Sequence, residues 1–409
     1  MAEETVSYLT LFRVSGFLRL ASATMLVRTG EAMWQVALVL FVLQRFHSPR
    51  LVGFSLFASI APGIVVGPVA GVLLDRHGRV RLMLLDYGVA AAATLLIVVL
   101  AVTGRLTPLL LFPILLVASL TSPLGSVGGR SLFPVIVPRH LWDRANAVDS
   151  TGYTLTSIVG PALAGVLTTI GGGELALAVT AVLFLASTLV IVGVRDPAPA
   201  LPANGAMARA AWDGVLYVVK NPALRGLAAS ISIGNLGNGI LMVAVPVLIL
   251  QVFHGSPTEV GLAWAASGLA GVVTVLIAGR FNSEGREKLL LVGGLLAGAA
   301  GFVVVAASRN VPGAILGLTL FGAGMGPSDI GLFSLRQRKT DPAWFGRAFA
   351  VSMNLNFTGV PIGSALAGPL IALSVRLALW SALGFQVLSA LAGAVMVPGE
   401  RNSSKQRLK

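Results

Sequence analysis

Ionisable side chains lie inside stretches that are otherwise apolar, and these are the residues best able to do chemistry. Arg28, Glu31 and Gln35 occupy positions i, i+3 and i+7, which places them along one stripe of a helix. A charge in hydrocarbon costs at least ~2.5 kcal/mol, so each charge needs a partner or a purpose. Glu31 can therefore exchange a proton, or it can pair structurally with Arg28 one turn away.

Two further carboxyls, Asp149 and Asp329, are alternative candidates for proton coupling, although either could instead be satisfied near the end of its apolar stretch. Trp34, Asn354 and Asn356 could line a pocket for amphipathic compounds, or they could pack between helices. The chain contains no cysteine, and its four histidines fall at the ends of apolar stretches. We therefore expect neither a metal site nor a cofactor.

The composition indicates that these residues are positioned by membrane-spanning helices. Of the 409 residues 56% are hydrophobic and 11% are charged, and the mean hydropathy is +0.87. About twelve stretches reach the ~20 apolar residues that a span requires. They run over 18–44, 51–74, 81–103, 108–130, 143–168, 175–194, 224–252, 258–279, 289–307, 312–335, 346–372 and 376–397.

Because backbone groups in lipid must be satisfied internally and these stretches do not alternate as barrel strands do, the predicted fold is an α-helical bundle. The net charge of +13 comes mainly from Lys and Arg in loops on one side. This asymmetry predicts that both termini are cytoplasmic, and it explains the basicity without a nucleic-acid partner. We expect no removable signal peptide before the first span.

The two halves of the sequence repeat in the same order. Residues 28–47 match 235–254, which sets Asn235 and Asn238 at the positions of Arg28 and Glu31. Residues 144–165 match 347–368 in the same way. The repeat predicts a six-helix half over 1–194, a connector over 195–222 with a short amphipathic helix, a second half over 223–398 and a basic tail over 399–409.

A charged, glycine-containing turn joins the second and third stretches. Its residues are Gly71, Asp75, Arg76, Gly78, Arg79 and Arg81. With the repeat and the twelve stretches, this loop resembles the signature of the major facilitator superfamily across essentially the whole chain. The resemblance implies an all-α membrane fold of two six-helix repeats. It also implies a cytoplasmic gate of breakable ion pairs, to which Asp86 and Arg130 could contribute, beside the role of the arginines as topology signals.

The fifth stretch contains Gly152, Gly160, Pro161 and Gly165, which resemble the signature of antiporters in this superfamily. The sequence is most similar to its drug and siderophore exporters, including macrolide-type efflux proteins. It departs from the better-known antiporters because no basic residue lies in the middle of the fourth stretch, where Arg130 stands only at the end.

The resemblance implies a transporter rather than an enzyme, which exports small amphipathic compounds in exchange for protons by alternating access. The proton gradient would supply the energy, since the sequence lacks the GxxxxGK[ST] motif of a primary pump. A proton-coupled uptake symporter and a lipid translocator remain alternatives. The expected partners are the lipid bilayer of the cell membrane and a small-molecule substrate, and the expected state is a monomer.

Overall fold

The computed structural model describes residues 8–196, 207–280, 283–341 and 344–398, and it is α-helical throughout these ranges apart from short turns. The first half begins with a short helix α1 (Tyr8–Phe12). Four long helices follow, which are α2 (Phe17–Phe46), α3 (Pro49–His77), α4 (Arg79–Val102) and α5 (Pro108–Ile136). A single 3₁₀ turn (Arg139–Leu141) leads into α6 (Trp142–Ile191).

Helix α6 contains two membrane spans joined without a loop. The backbone leaves the helical conformation at Gly171 (φ −139°) and Gly172 (φ +76°). The positive φ at Gly172 suits glycine because it has no Cβ to clash with the backbone. Eleven helical segments of the described chain are long and apolar enough to cross a membrane, and one of them covers 53 residues (Arg139–Ile191). Divided at the two glycines, these segments correspond to the twelve predicted spans.

Helix α7 (Met207–Lys220) lies within the predicted connector and precedes the second half. The spans of that half are α8 (Pro222–Val247), which continues as a π-helical turn (Leu248–Val252), then α9 (Pro257–Ala278), α10 (Glu287–Ala307), α11 (Val311–Lys339) and α14 (Val375–Met396). Between α11 and α14 one span is interrupted at Thr358, so that it forms α12 (Phe345–Phe357) and α13 (Gly359–Leu373). The predicted tail over 399–409 and residues 197–206 of the connector lie outside the described ranges.

The chain forms two compact units. The first contains the described residues within Met1–Phe41 and Ala58–Asn204, and the second those within Val42–Phe57 and Gly205–Lys409. The corner between α2 and α3 thus belongs to the second unit, although it lies in the first half of the sequence. Within that unit the corner packs closely on α13, because a Cβ at Gly53 would lie 2.2 Å from the Ser364 carbonyl oxygen.

The internal repeat is visible in the local backbone of each half of the sequence. Among the described residues, His47 (φ +51°) and His254 (φ +54°) are the non-glycine residues with positive φ. His47 follows the end of α2, and His254 follows the π-helical turn that extends α8. Left-handed residues commonly end helices, so the same sequence position stops the first helix of each repeat.

Small residues allow the first unit to bring α6 against α2. A Cβ on Gly160 would lie 2.5 Å from the Ala32 Cβ and 3.0 Å from the Met33 backbone nitrogen. A Cβ on Gly152 would meet the Met25 side chain at 3.2 Å. Helix association within lipid depends on such close approach, because burying apolar surface gains little there.

We expect Gly160→Ala to destabilise the protein by about 1–3 kcal/mol, because the added methyl group would overpack this contact. The measurement is the free energy of unfolding of the purified protein in detergent. Gly88→Ala in α4 is the matched control, since a Cβ there meets no atom within 4 Å. Equal effects of the two changes would show that the approach of α6 to α2 does not depend on Gly160.

Candidate functional site

The polar stripe of α2 is anchored to α6 by an ion pair inside the first unit. Arg28 donates from Nη1 to Asp149 Oδ1 at 2.7 Å and from Nη2 to Asp149 Oδ2 at 3.3 Å. Nη1 also donates to the Asp149 backbone oxygen at 3.2 Å, and the guanidinium lies 5.7 Å from the Tyr153 ring centroid. The arginine side chain is 12% exposed and the aspartate 26%. This two-pronged geometry fixes the guanidinium more firmly than a single contact would.

Arg28 therefore takes Asp149 as its salt-bridge partner, and not Glu31 as the spacing in the sequence suggested. Glu31 is half-buried and lies within electrostatic range of Arg28 and Arg130. In the part of the chain that the structure describes, Glu31 forms no salt bridge. A carboxyl in this situation can take up or release a proton without breaking an ion pair.

A second carboxyl lies close to Glu31. Asp86 of α4 is 4% exposed, interacts electrostatically with Glu31 and lies beside Thr121 and Gly125 of α5. Its carboxylate touches the glycine directly, because a Cβ on Gly125 would lie 2.2 Å from Asp86 Oδ2. These contacts come from α5, whereas no salt bridge to Arg81 or Arg130 is found among the described residues. Asp86 thus extends the polar cluster of α2 toward α5.

The glycine- and proline-containing segment of α6 positions the aspartate of the ion pair. Asp149 lies one turn before Gly152, and Gly160, Pro161 and Gly165 are buried further along the same helix. Because Gly152 and Gly160 let α6 approach α2, the carboxylate of Asp149 comes within reach of Arg28. The residues that resemble an antiporter signature therefore have a local structural role, because they bring the helices close enough for the Arg28–Asp149 ion pair to form.

The charged turn between α3 and α4 is held by two carboxylates. Asp75 near the end of α3 accepts from Arg79 at the start of α4 at 2.8 Å. Gly78 between them has φ +92°, and Asp196 accepts from the Val80 backbone N–H at 3.2 Å. A carboxylate at the first turn of a helix is favoured by the exposed N–H groups there. The sequence pointed to Asp75 but not to Asp196, which lies more than a hundred residues away.

The other members of this motif are placed as follows. The Arg76 and Arg81 side chains are exposed, and a Cβ on Gly71 would meet no atom within 4 Å. Arg130, near the end of α5, is also exposed. The gating role of this set stays a prediction, since the contacts show what joins α3 to α4 but not what changes during transport.

The second unit contains a polar cluster centred on a buried arginine. Arg336 of α11 is 0% exposed, and its Nη1 lies 2.9 Å from the Met353 sulfur. With the Asn356 amide oriented to satisfy both its ends, Arg336 Nη2 donates to the amide oxygen at 2.7 Å and the amide nitrogen donates to the Ser352 backbone oxygen at 3.0 Å. Asp329 is half-buried and within electrostatic range of Arg336.

The interruption at Thr358 is bridged by side chains of α8. Asn235 Nδ2 donates to the Asn356 backbone oxygen at 2.7 Å, and the Ser232 hydroxyl donates to the Leu355 backbone oxygen. Pro361 has no N–H and therefore leaves one helical hydrogen bond unmade at this break. Ser232 and Asn235 thus provide donors on α8 for the last carbonyls of α12, and the Thr358 hydroxyl also donates to the Leu355 oxygen at 2.7 Å.

The remaining candidates from the sequence lie on the same helices without a shared contact. Trp34 packs against the apolar core of the first unit, and Gln35 is exposed. Asn238 and Asn354 are half-buried. Sequence analysis missed Arg336 because it was counted among the basic residues of loops. The signal was its i, i+7 spacing from Asp329, which matches the spacing of Arg28 and Gln35 on α2.

The two repeats make the same contact with different chemistry. In the first unit, Arg28 of α2 reaches Asp149 and Tyr153 on α6. In the second unit Asn235, which repeats Arg28, reaches Asn356, which repeats Tyr153. The first and fifth spans of each repeat are therefore joined at the same level, by an ion pair in one unit and by a hydrogen bond from a side-chain amide to a backbone carbonyl in the other.

The sequence profile of the Major Facilitator Superfamily matches residues 20–364 and 227–408. The chain belongs to this superfamily. It is therefore a multi-pass membrane transporter and not an enzyme. The membership confirms the twelve-helix fold that the sequence predicted.

Individual relatives and a solved structure are similar to the chain over most of its length. The chain is 36% identical to the uncharacterized MFS-type transporter y4rN of Sinorhizobium fredii (strain NBRC 101917 / NGR234), over 97% of this chain and 98% of the relative. It is 23% identical to macrolide efflux protein A of Streptococcus pyogenes, over 82% and 84% of the two chains. The crystal structure of nucleoside transporter NupG (D323A mutant) superposes with a TM-score of 0.76 at 13% identity, covering 94% of this chain and 100% of NupG.

We expect Arg28→Gln and Asp149→Asn to be non-additive, with a coupling free energy of about 1–3 kcal/mol, because each change removes the same partly buried pair. The measurement is a double-mutant cycle of unfolding free energies in detergent. The control cycle uses Arg79→Gln and Asp75→Asn, whose aspartate side chain is 53% exposed and whose coupling should be about 0.5 kcal/mol or less. Similar couplings in both cycles would contradict a special role for the Arg28 pair.

Proposed function

We propose that this transporter exports small amphipathic compounds by proton antiport. The main support for the proposal is the salt bridge between Arg28 and Asp149 at 2.7 Å. Because Arg28 pairs with Asp149, Glu31 in the same polar stripe has no salt bridge in the described chain. The antiporter-like segment of α6 and the similarity to a macrolide efflux protein support export as the direction.

Glu31 is proposed as the residue that couples protons to the compound. Its ionised form attracts a cationic amphipathic compound from the cytoplasmic side and loses that attraction when it binds a proton from outside. The compound then leaves to the outside and the proton is released to the cytoplasm, so that one site serves both ligands in turn. Asp86 is close enough to influence the charge of Glu31, and Arg28 offsets the charge of Asp149.

The ion pair of Arg28 and Asp149 is assigned a supporting role in this cycle. It holds α2 on α6 and fixes the direction in which Glu31 projects. Asp149 is therefore a positioning residue in the proposal rather than the proton carrier, and Asp329 remains a second candidate for proton binding because it is half-buried beside Arg336.

The proposed orientation in the membrane follows from the distribution of Lys and Arg in the sequence. We propose that both termini are cytoplasmic, that a single chain carries the complete pathway, and that the proton gradient is the energy source. The turn of Asp75 and Arg79 would then lie on the cytoplasmic side, where its ion pair stabilises one access state.

The test is proton release from everted membrane vesicles with an acidic interior, followed by a pH-sensitive dye as cationic, neutral and anionic amphipathic compounds are added. We expect wild-type vesicles to release protons with cationic compounds. Glu31→Gln should lose at least about 90% of this response, because the amide cannot carry a proton. The size follows from the loss of the carboxyl to which proton coupling is assigned.

The matched control is Asp143→Asn, which removes an exposed carboxylate at the first turn of α6. It should leave proton release unchanged, and both variants should unfold at the wild-type temperature. A normal response of Glu31→Gln would refute the assignment of Glu31. Wild-type vesicles that respond to none of the compounds would refute antiport and favour the uptake or lipid-translocation alternatives.

A further inference from the structure

A cavity of about 500 Å³ opens at one end of the second unit, and neither Arg336 nor Asp329 lines it. It lies between the start of α10, the end of α11 and the end of α14, and it is lined by Lys288, Arg338 and Lys339 together with Leu289, Val292 and Ala394. Its volume falls within the range of small-molecule sites in proteins. No part of the transport site described above borders it.

Two lysines of this cavity are available to bind an anionic group. Glu287 is 3% exposed, and its Oε1 lies 2.6 Å from Arg338 Nη1. Glu284 lies 3.9 Å from the same nitrogen. The two carboxylates are therefore directed at Arg338, whereas Lys288 and Lys339 form no salt bridge within the described ranges. The remaining positive charge suits a group with a negative charge, and a phosphate can accept from both ammonium groups.

The position of the cavity favours a phosphate that is attached to a lipid. Helix α10 has 21 residues, which at ~1.5 Å per residue match the ~30 Å hydrocarbon core, so its first turn lies at the headgroup level. The apolar wall includes Leu289, which is 70% exposed, and the neighbouring Val395 on α14 is 81% exposed. Acyl chains can therefore lie along α10 and α14 while the headgroup occupies the basic end.

We propose that this cavity binds the phosphate headgroup of an anionic membrane phospholipid, with Lys288 and Lys339 as the ligands of the phosphate. Arg338 shapes the floor of the site and is fixed there by Glu287. Basic pockets between membrane helices commonly bind lipid headgroups in this way. The site is independent of the proposed proton coupling at Glu31.

The test is a titration of the full-length protein in detergent with palmitoyl-oleoyl phosphatidylglycerol, read as the rise in the thermal unfolding temperature. We expect saturable stabilisation of the wild type. The double variant Lys288→Gln/Lys339→Gln should need about 30-fold more lipid for half of the effect, since each lysine contributes about fivefold near a membrane surface. Sodium phosphate and a diacylglycerol without phosphate are titrated in parallel.

The matched control is Lys220→Gln/Arg225→Gln, which removes two exposed charges of the same unit that do not line the cavity. It should keep the wild-type half-saturating lipid concentration within about twofold, because it touches only the general surface charge. An equal loss in both double variants would overturn the proposal. So would saturation by sodium phosphate alone, which would indicate a soluble ligand, or by diacylglycerol, which would indicate an apolar site without phosphate recognition.

Discussion

Much of this structure depends on the cost of placing polar groups in hydrocarbon. The pair of Arg28 and Asp149 meets this cost for two charges at once, and it does so between helices that are 121 positions apart in the sequence. The same constraint acts on the backbone where α12 gives way to α13, since side chains of α8 donate hydrogen bonds to the last carbonyls of α12. Each polar contact therefore also decides which helices are neighbours.

Close packing makes these contacts possible. In water an apolar core would pull helices together, but in lipid the helices gain most from fitting closely and from satisfying each other's polar groups. Glycines at the crossing of α6 and α2 reduce the distance between backbones until a short side chain such as Asp149 reaches its partner. The small residues and the charged residues of the same helix thus act together, and neither set explains the site alone.

The sequence alone was sufficient to predict the fold and part of the candidate site. Length and hydropathy determine where spans lie, because the bilayer imposes one thickness on all of them, and the repeat identified equivalent positions such as Arg28 and Asn235. Which side chains pair with each other was harder to predict from the sequence. Glu31 is the nearest carboxyl to Arg28 along the helix, but the arginine bends toward α6, whose position depends on the glycine contacts of the whole unit.

Similar reasons explain the groups that the sequence did not indicate. Asp196 reaches the start of α4 only because the end of α6 returns to that turn, and Arg336 is enclosed by residues of α12 that no local pattern connects to it. Local spacing predicts which face of a helix a residue occupies. It does not predict what the neighbouring helix brings to that face, so long-range polar contacts required the structure.

The joint at Gly171 and Gly172 has a practical consequence for attaching a label at the end of a span. The fifth and sixth spans turn directly into each other, and a Cβ on Gly173 would lie 2.6 Å from the Cα of Phe41. This corner therefore offers almost no peptide that a protease could enter or an antibody could recognise, and an inserted epitope would have to push two helices apart. The corner at Thr103–Thr107 between α4 and α5, where a Cβ on Gly104 would meet no atom within 4 Å, has room for such a label.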